Sequence, residues 1–281
     1  MQQLISLFTE YTNLPTPSVE ALPSSGSNRK YYRLQHDNTS IIGVHGESRD
    51  ENRAFIYLAR HFRNKKLNVP EVFAVSEDEM FYIQQDLGDT ILFDEIKSGR
   101  LTGVFSNTEK DLLHKTISQL ADLQNIGAED LDFNICYPLP EFNERSVYWD
   151  LNYFKYSFLK TTGMEFKEDL LENDFEKLTG SLLKDKSDTF MYRDFQSRNV
   201  MFYDGEPYFI DFQGGRKGPV YYDVASFLWQ AKANFPAELR TELIDTYIDA
   251  LKKYRPVDKK EFMNRLRQFV LFRILQVLGA Y

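Results

Sequence analysis

The chain is poor in the groups that usually announce redox or metal chemistry. One cysteine, Cys136, stands among 281 residues. Neither an internal disulfide nor a multi-thiolate metal site can form, and a reducing compartment is the expected setting. A buried, inert thiol is the simpler reading of Cys136. The four histidines, His36, His45, His61 and His114, are dispersed without metal-ligand spacing. Positive charge is in deficit: 34 Lys and Arg against 42 Asp and Glu leave a net −8. That balance argues against a delocalised basic footprint for nucleic acid or an anionic membrane. Long apolar runs are missing too. The opening MQQLISLFTEYTN has neither the basic region nor the apolar core of an export signal, and reads as a short amphipathic helix. The most apolar stretch, Phe269 to Tyr281, is too short to span a bilayer and is interrupted by Arg273 and Gln276. A cytoplasmic protein is expected, with no membrane and no nucleic-acid partner. No G-x-S-x-G, Walker lysine or internal repeat is found.

What is present is ordinary globular material, 42% hydrophobic and 27% charged. Apolar periodicity predicts a helix over 2–11, then a hairpin of Tyr31–Leu34 and Ser40–Val44. A helix over 50–63 follows, with Phe55, Leu58, Ala59 and Phe62 on one face, and then strands Val72–Val75 and Met80–Gln84. Beyond these, helices are expected near 107–126, 141–160, 170–184, 237–253 and 258–278, around a strand-rich insertion at 190–211. This order predicts an α+β, two-lobed protein-kinase-like fold. Its β-rich N-lobe would span 1–84, a hinge 85–89, and the larger helical C-lobe 90–281. The last helical pattern runs almost to the final residue. Gly279 fits a C-cap, and a further C-terminal domain on a longer chain fits equally.

The chemistry concentrates in Met191-Tyr-Arg-Asp-Phe-Gln-Ser-Arg-Asn199 and the run ending at Asp211. Asp204-Gly205 between aromatic, apolar runs predicts a two-residue hairpin. Counting outward, Tyr203 faces Glu206 and Asn199 faces Ile210, which makes Asn199 and Asp211 diagonal neighbours. An amide oxygen beside a carboxylate suits Mg²⁺, which takes one or two protein ligands plus phosphate oxygens. Asp194 lies five residues before Asn199, the spacing at which one Asp accepts a substrate hydroxyl proton and an Asn holds the metal.

Y-R-D-F-Q-S-R-N-V, F-I-D-F-Q and G-P-V-Y-Y-D-V-A-S resemble the catalytic and metal motifs of the aminoglycoside phosphotransferase and choline kinase superfamily. The resemblance implies Asp194 as catalytic base, Asn199 and Asp211 as Mg²⁺ ligands, and ATP as phosphoryl donor. Tyr192 replaces the family's histidine, and Asp-Phe-Gln replaces a glycine-containing metal motif. The second departure resembles the cell-wall amino-sugar kinases, which phosphorylate the anomeric hydroxyl of N-acetylmuramate or N-acetylglucosamine. By resemblance, Asp223 opens a helix and accepts hydrogen bonds from the catalytic-loop backbone. As bare sequence it is an acidic N-cap before Val224, Phe227 and Leu228.

Ser27, Asn28 and Arg29, in a short polar loop before the first long strand, are the candidate phosphate contacts. Gln85, Asp86 and Leu87 resemble the hinge that offers backbone groups to adenine. The strand Ser40–His45 carries no phosphate-pairing lysine, and Glu51 pairs with Lys30 or Arg33 or is a first-turn acid. For the acceptor, the aromatic-rich helix supplies Glu144, Tyr148 and Asp150, and Trp229 offers a wall. A small-molecule sugar is the expected acceptor. The alternatives are a choline, ethanolamine or aminoglycoside kinase of the same fold, and a nucleotide-binding regulatory module without catalysis.

Overall fold

A computed structural model describes residues 1–23 and 29–280. After helix α1 (Gln2–Thr12), strands β1 (Ser18–Ala21), β2 (Lys30–His36) and β3 (Thr39–His45) lead to α2 (Arg49–Asn64). Strands β4 (Val72–Val75) and β5 (Phe81–Gln85) complete an antiparallel sheet of order β1-β2-β3-β5-β4. The expected hairpin of β2 and β3 forms, and β1 is added to it as a short, mostly exposed edge strand that apolar periodicity does not mark.

Central β3 is covered on both faces, so Ile41 to Val44 are all buried rather than alternating. Ile41 faces α1, packing with Leu4, Phe8, Leu34 and Ile83, while Ile42 and Val44 face the main core with Phe55 and Tyr82. Gly43 permits the close approach of α1, because a Cβ there would lie 3.1 Å from a Leu4 methyl. Helix α2 starts where Ser48 accepts from the Glu51 N–H, with Asp50 and Glu51 in the first turn as the macrodipole favours.

The helical part comprises α3 (Leu92–Glu95), α4 (Lys97–Thr102), α5 (Asn107–Ile126), α6 (Glu144–Ser157) and α7 (Glu168–Leu182), then α8 (Tyr221–Leu228), α9 (Ala237–Leu251) and α10 (Lys259–Gly279). Set among them are β6 (Thr189–Met191), β7 (Val200–Tyr203), β8 (Glu206–Phe209) and β9 (Arg216–Gly218), paired β6 with β9 and β7 with β8. Helix α5 packs on α9, and α10 on α6 and α8. The architecture is the expected two-lobed, kinase-like α+β fold. Two boundaries move inward: α6 begins only after a capping box of Asn143 and Ser146, and ends at Ser157. Cys136 is buried, and burial pushes its thiol up to about 12. Among the described residues no helix is long and apolar enough to cross a membrane.

Candidate active site

The loop between β6 and β7 is tied down from several sides. The backbone N–H groups of Tyr192 and Arg193 donate to the Asp223 carboxylate at 2.9 and 3.0 Å. Asp223 is fully buried on α8, where Gln124 of α5 donates to it at 2.9 Å and the Tyr247 hydroxyl donates to Gln124 in turn. Asp223 therefore accepts hydrogen bonds from the backbone of the loop that carries Asp194. It is not the N-cap, because Val220 holds that position and Asp223 lies in the first turn.

Arg193 has φ 80, a left-handed conformation unusual outside glycine. Its guanidinium is fixed by both oxygens of Asp150, at 2.8 and 3.2 Å, and lies over the Tyr222 ring at 5.0 Å. Ser197 donates from N and Oγ to Gln230 at 3.2 and 2.8 Å. The Tyr192 hydroxyl donates to the Ile210 carbonyl, linking the loop to the segment that carries Asp211. This network over-determines a strained backbone, as functional loops require.

The hairpin has the expected register. Tyr203 pairs with Glu206 and Val200 with Phe209, across a turn in which Asp204 and Gly205 have φ 51 and 74. The ladder extends one step as Ile210 N–H donates to Asn199 O at 3.0 Å. Asp211 follows with φ 65, and Phe212 anchors it by stacking on Phe55 of α2 at 4.9 Å. Asn199 gives its amide N–H to Asp194 O at 2.8 Å, which leaves its amide oxygen as an acceptor. Gln213 donates to one Asp211 oxygen at 2.7 Å, leaving the other oxygen of that carboxylate. Burial pushes the Asp211 carboxyl above the usual range, Gln213 opposes this, and the charge of Asp194 adds to it. An amide oxygen and a carboxylate oxygen are a hard donor pair that fits Mg²⁺.

Two cavities meet at this loop. One, of about 410 Å³, is lined by Asn199 and Asp211, by Gln85, Asp86 and Leu87, and by Ile42 and Phe55. The other, of about 500 Å³, is lined by Asp194, Trp229, Arg273 and Gln276, and Arg198 borders both. Asp194 is 57% exposed in this second cavity.

The remaining site residues sort plainly. Ser27 and Asn28 lie outside the described residues. Arg29 borders a smaller neighbouring cavity of about 220 Å³ and pairs with Glu51 at 3.5 Å. Glu51 thus meets Arg29, not Lys30 or Arg33. Arg33 instead binds Asp86 at 2.8 Å and Asp89 at 2.7 Å, clamping β2 to the residues expected as the hinge. Glu144 and Asp150 line neither large cavity. Glu144 is exposed in the first turn of α6, and Asp150 is consumed by Arg193. Sequence reasoning missed Gln84, whose buried Oε1 has no partner among the described residues, on the wall of the first cavity. It also missed Arg273 and Gln276, noted only as interruptions of an apolar run. A charge and an amide breaking the apolar face of a buried helix were the signal.

Fold and site together define a phosphotransferase of the kinase-like class. The chain belongs to the APH family, the phosphotransferase enzyme family, whose profile matches residues 18–257. It is 28% identical over 223 residues to an N-acetylmuramate/N-acetylglucosamine kinase of Neisseria meningitidis, covering 78% of this chain and 63% of that relative. A Pseudomonas putida protein of the same name is 23% identical, with 100% of this chain and 81% of the relative covered. The match to the Neisseria protein thus leaves more than a third of that relative unspanned. Among solved structures, choline kinase of Cryptosporidium parvum aligns at TM-score 0.68 and 12% identity, over 99% of this chain and 89% of that one. Amicoumacin kinase hAmiN in complex with AMP-PNP and Ca²⁺ aligns at 0.67 and 11%, over 93% and 80%.

Proposed function

We propose that the protein is an ATP-dependent kinase that phosphorylates the anomeric hydroxyl of an N-acetylated amino sugar. The observation that carries this reading is the division of three residues between two adjoining cavities. Asp194 faces one, and Asn199 with Asp211 faces the other. The cavity at Asp194 holds the acceptor, and the cavity at Asn199 and Asp211 holds the nucleotide. Ile42 and Phe55 supply apolar walls for the base, and Gln85 to Leu87 supply backbone groups for its edge.

Asp194 accepts the proton of the sugar hydroxyl as its oxygen bonds to the γ-phosphorus. The bond from that phosphorus to the β–γ bridging oxygen breaks, and ADP leaves. Asn199 and Asp211 would hold Mg²⁺, which neutralises triphosphate charge when bound. Positioning by the rigid loop supplies much of the rate. The names of the Neisseria and Pseudomonas relatives support the sugar acceptor.

The test is incubation with Mg²⁺-ATP and N-acetylmuramate, N-acetylglucosamine, choline, ethanolamine and an aminoglycoside, with products resolved by ³¹P NMR. An anomeric phosphate on an N-acetylated sugar is the expected product. Phosphorylation of the cationic amines alone sinks the sugar reading, and ATP binding without any product supports a regulatory module.

A further inference from the structure

The acceptor cavity has a charge opposite to that of the molecule. The chain carries a net −8, yet the described lining of this cavity sets Arg198, Lys232 and Arg273 against a single carboxylate, Asp194. A cationic amine entering here would meet three like charges.

Arg273 is the informative member. It comes from α10, is only 7% exposed, and still borders the cavity. Its Nε donates to Ser226 at 3.1 Å, and its guanidinium lies 5.9 Å from the Tyr222 ring centre. Among the described residues its two terminal nitrogens make no hydrogen bond. The nearest carboxylate, Asp194, is 3.9 Å away, beyond hydrogen-bond reach. An anchored guanidinium with its outer fork open beside the catalytic base is preorganised for a planar two-oxygen acceptor. As a mere counter-ion for a largely exposed Asp194 it would contribute little.

We infer that Arg273 determines acceptor specificity by binding a carboxylate on the sugar, near the hydroxyl that Asp194 serves. The inference rests on the assignment of this cavity to the acceptor. N-acetylmuramate carries such a carboxylate on its lactyl ether and N-acetylglucosamine does not, so the two form a matched pair. Arg198 and Lys232 add a weaker long-range attraction at the rim to the discrimination made by the buried fork.

The experiment compares kcat/KM for the two sugars in wild type, Arg273→Gln and Arg273→Lys. The expected result is a fall of about 10- to 100-fold in the acid-to-neutral preference for the glutamine variant. The fall should lie mainly in KM, with partial recovery in the lysine variant. An equal loss on both sugars overturns the inference and makes Arg273 a positioning residue for Asp194. Two measurements stand apart from the folding of these variants. In the wild type, esterifying the lactyl carboxylate with methanol should cost a similar factor. The exposed substitution Lys232→Glu should lower the same preference a few-fold. A methyl ester as good as the free acid overturns the inference. If the wild type phosphorylates neither sugar, the amino-sugar reading falls. Calorimetric binding of carboxylated, neutral and cationic polyols then decides this one, and tightest binding of the cations overturns it.

Discussion

Position 192 holds a tyrosine, and its surroundings show what that side chain does. The side chain is fully buried among Phe195, Phe209 and Phe212, and its hydroxyl reaches across to the Ile210 carbonyl. It thereby couples the loop bearing Asp194 to the segment bearing Asp211. Tyr192→Phe keeps the ring and leaves a part-buried carbonyl without this donor, so it should lower stability by about 1 kcal/mol in urea unfolding and reduce kcat more than it raises nucleotide KM. Asp194→Asn removes the proposed proton acceptor and keeps the shape. Its kcat should fall at least about 10²-fold, while nucleotide affinity, measured by titration with a non-hydrolysable ATP analogue, stays near the wild-type value. Full turnover by this variant would remove Asp194 from its proposed role.

At the scale of elements, the site is held by clamps that join segments far apart in sequence. Arg33 locks β2 to Asp86, which also accepts from Ser40 of β3 at 2.5 Å. Burial opposes ionisation of Asp86, but Arg33 and Ser40 outweigh it and hold the carboxyl below its ordinary value. Arg33→Ala should therefore raise the KM for ATP several-fold with a smaller change in kcat, read from initial rates at saturating acceptor. These clamps also mark where the sequence was legible. The β7–β8 register could be counted because Asp204-Gly205 leaves one short turn geometry, and Asn199 and Asp211 came with it. Asp150 could not be read correctly. Its place on α6 was visible, but its partner Arg193 lies 43 residues on and is met only through packing. Arg273 escaped for the opposite reason, since an arginine within an apolar helix looks like a limit on hydropathy until the fold turns it toward Asp194.

For the whole molecule, the polar chain from Tyr247 through Gln124 to Asp223 runs from the helical core to the catalytic loop, and Asp223 makes it sensitive to pH. Burial is the dominant influence on its carboxyl and raises it from the ordinary 3.8 to about 6, although the N–H groups of Tyr192 and Arg193 and the amide of Gln124 pull it down. The sign for stability follows from which state holds the proton. Below 3.8 the folded and unfolded chains are both protonated at this position. Between there and about 6 the folded chain binds the proton more tightly, so stability falls as pH rises through that window and is flat above it. The loss attributable to this one group is at most about 3 kcal/mol. Asp223→Asn cannot titrate, so subtracting its unfolding free energy from that of the wild type at each pH cancels the other acids. That difference should shift against the wild type by up to this amount between pH 4 and pH 6, and then level off. A difference that is instead flat from pH 4 to pH 6, and moves in favour of the wild type as pH rises toward 4, would mean that the three N–H donors outweigh burial. The catalytic loop would then be held by a carboxylate throughout.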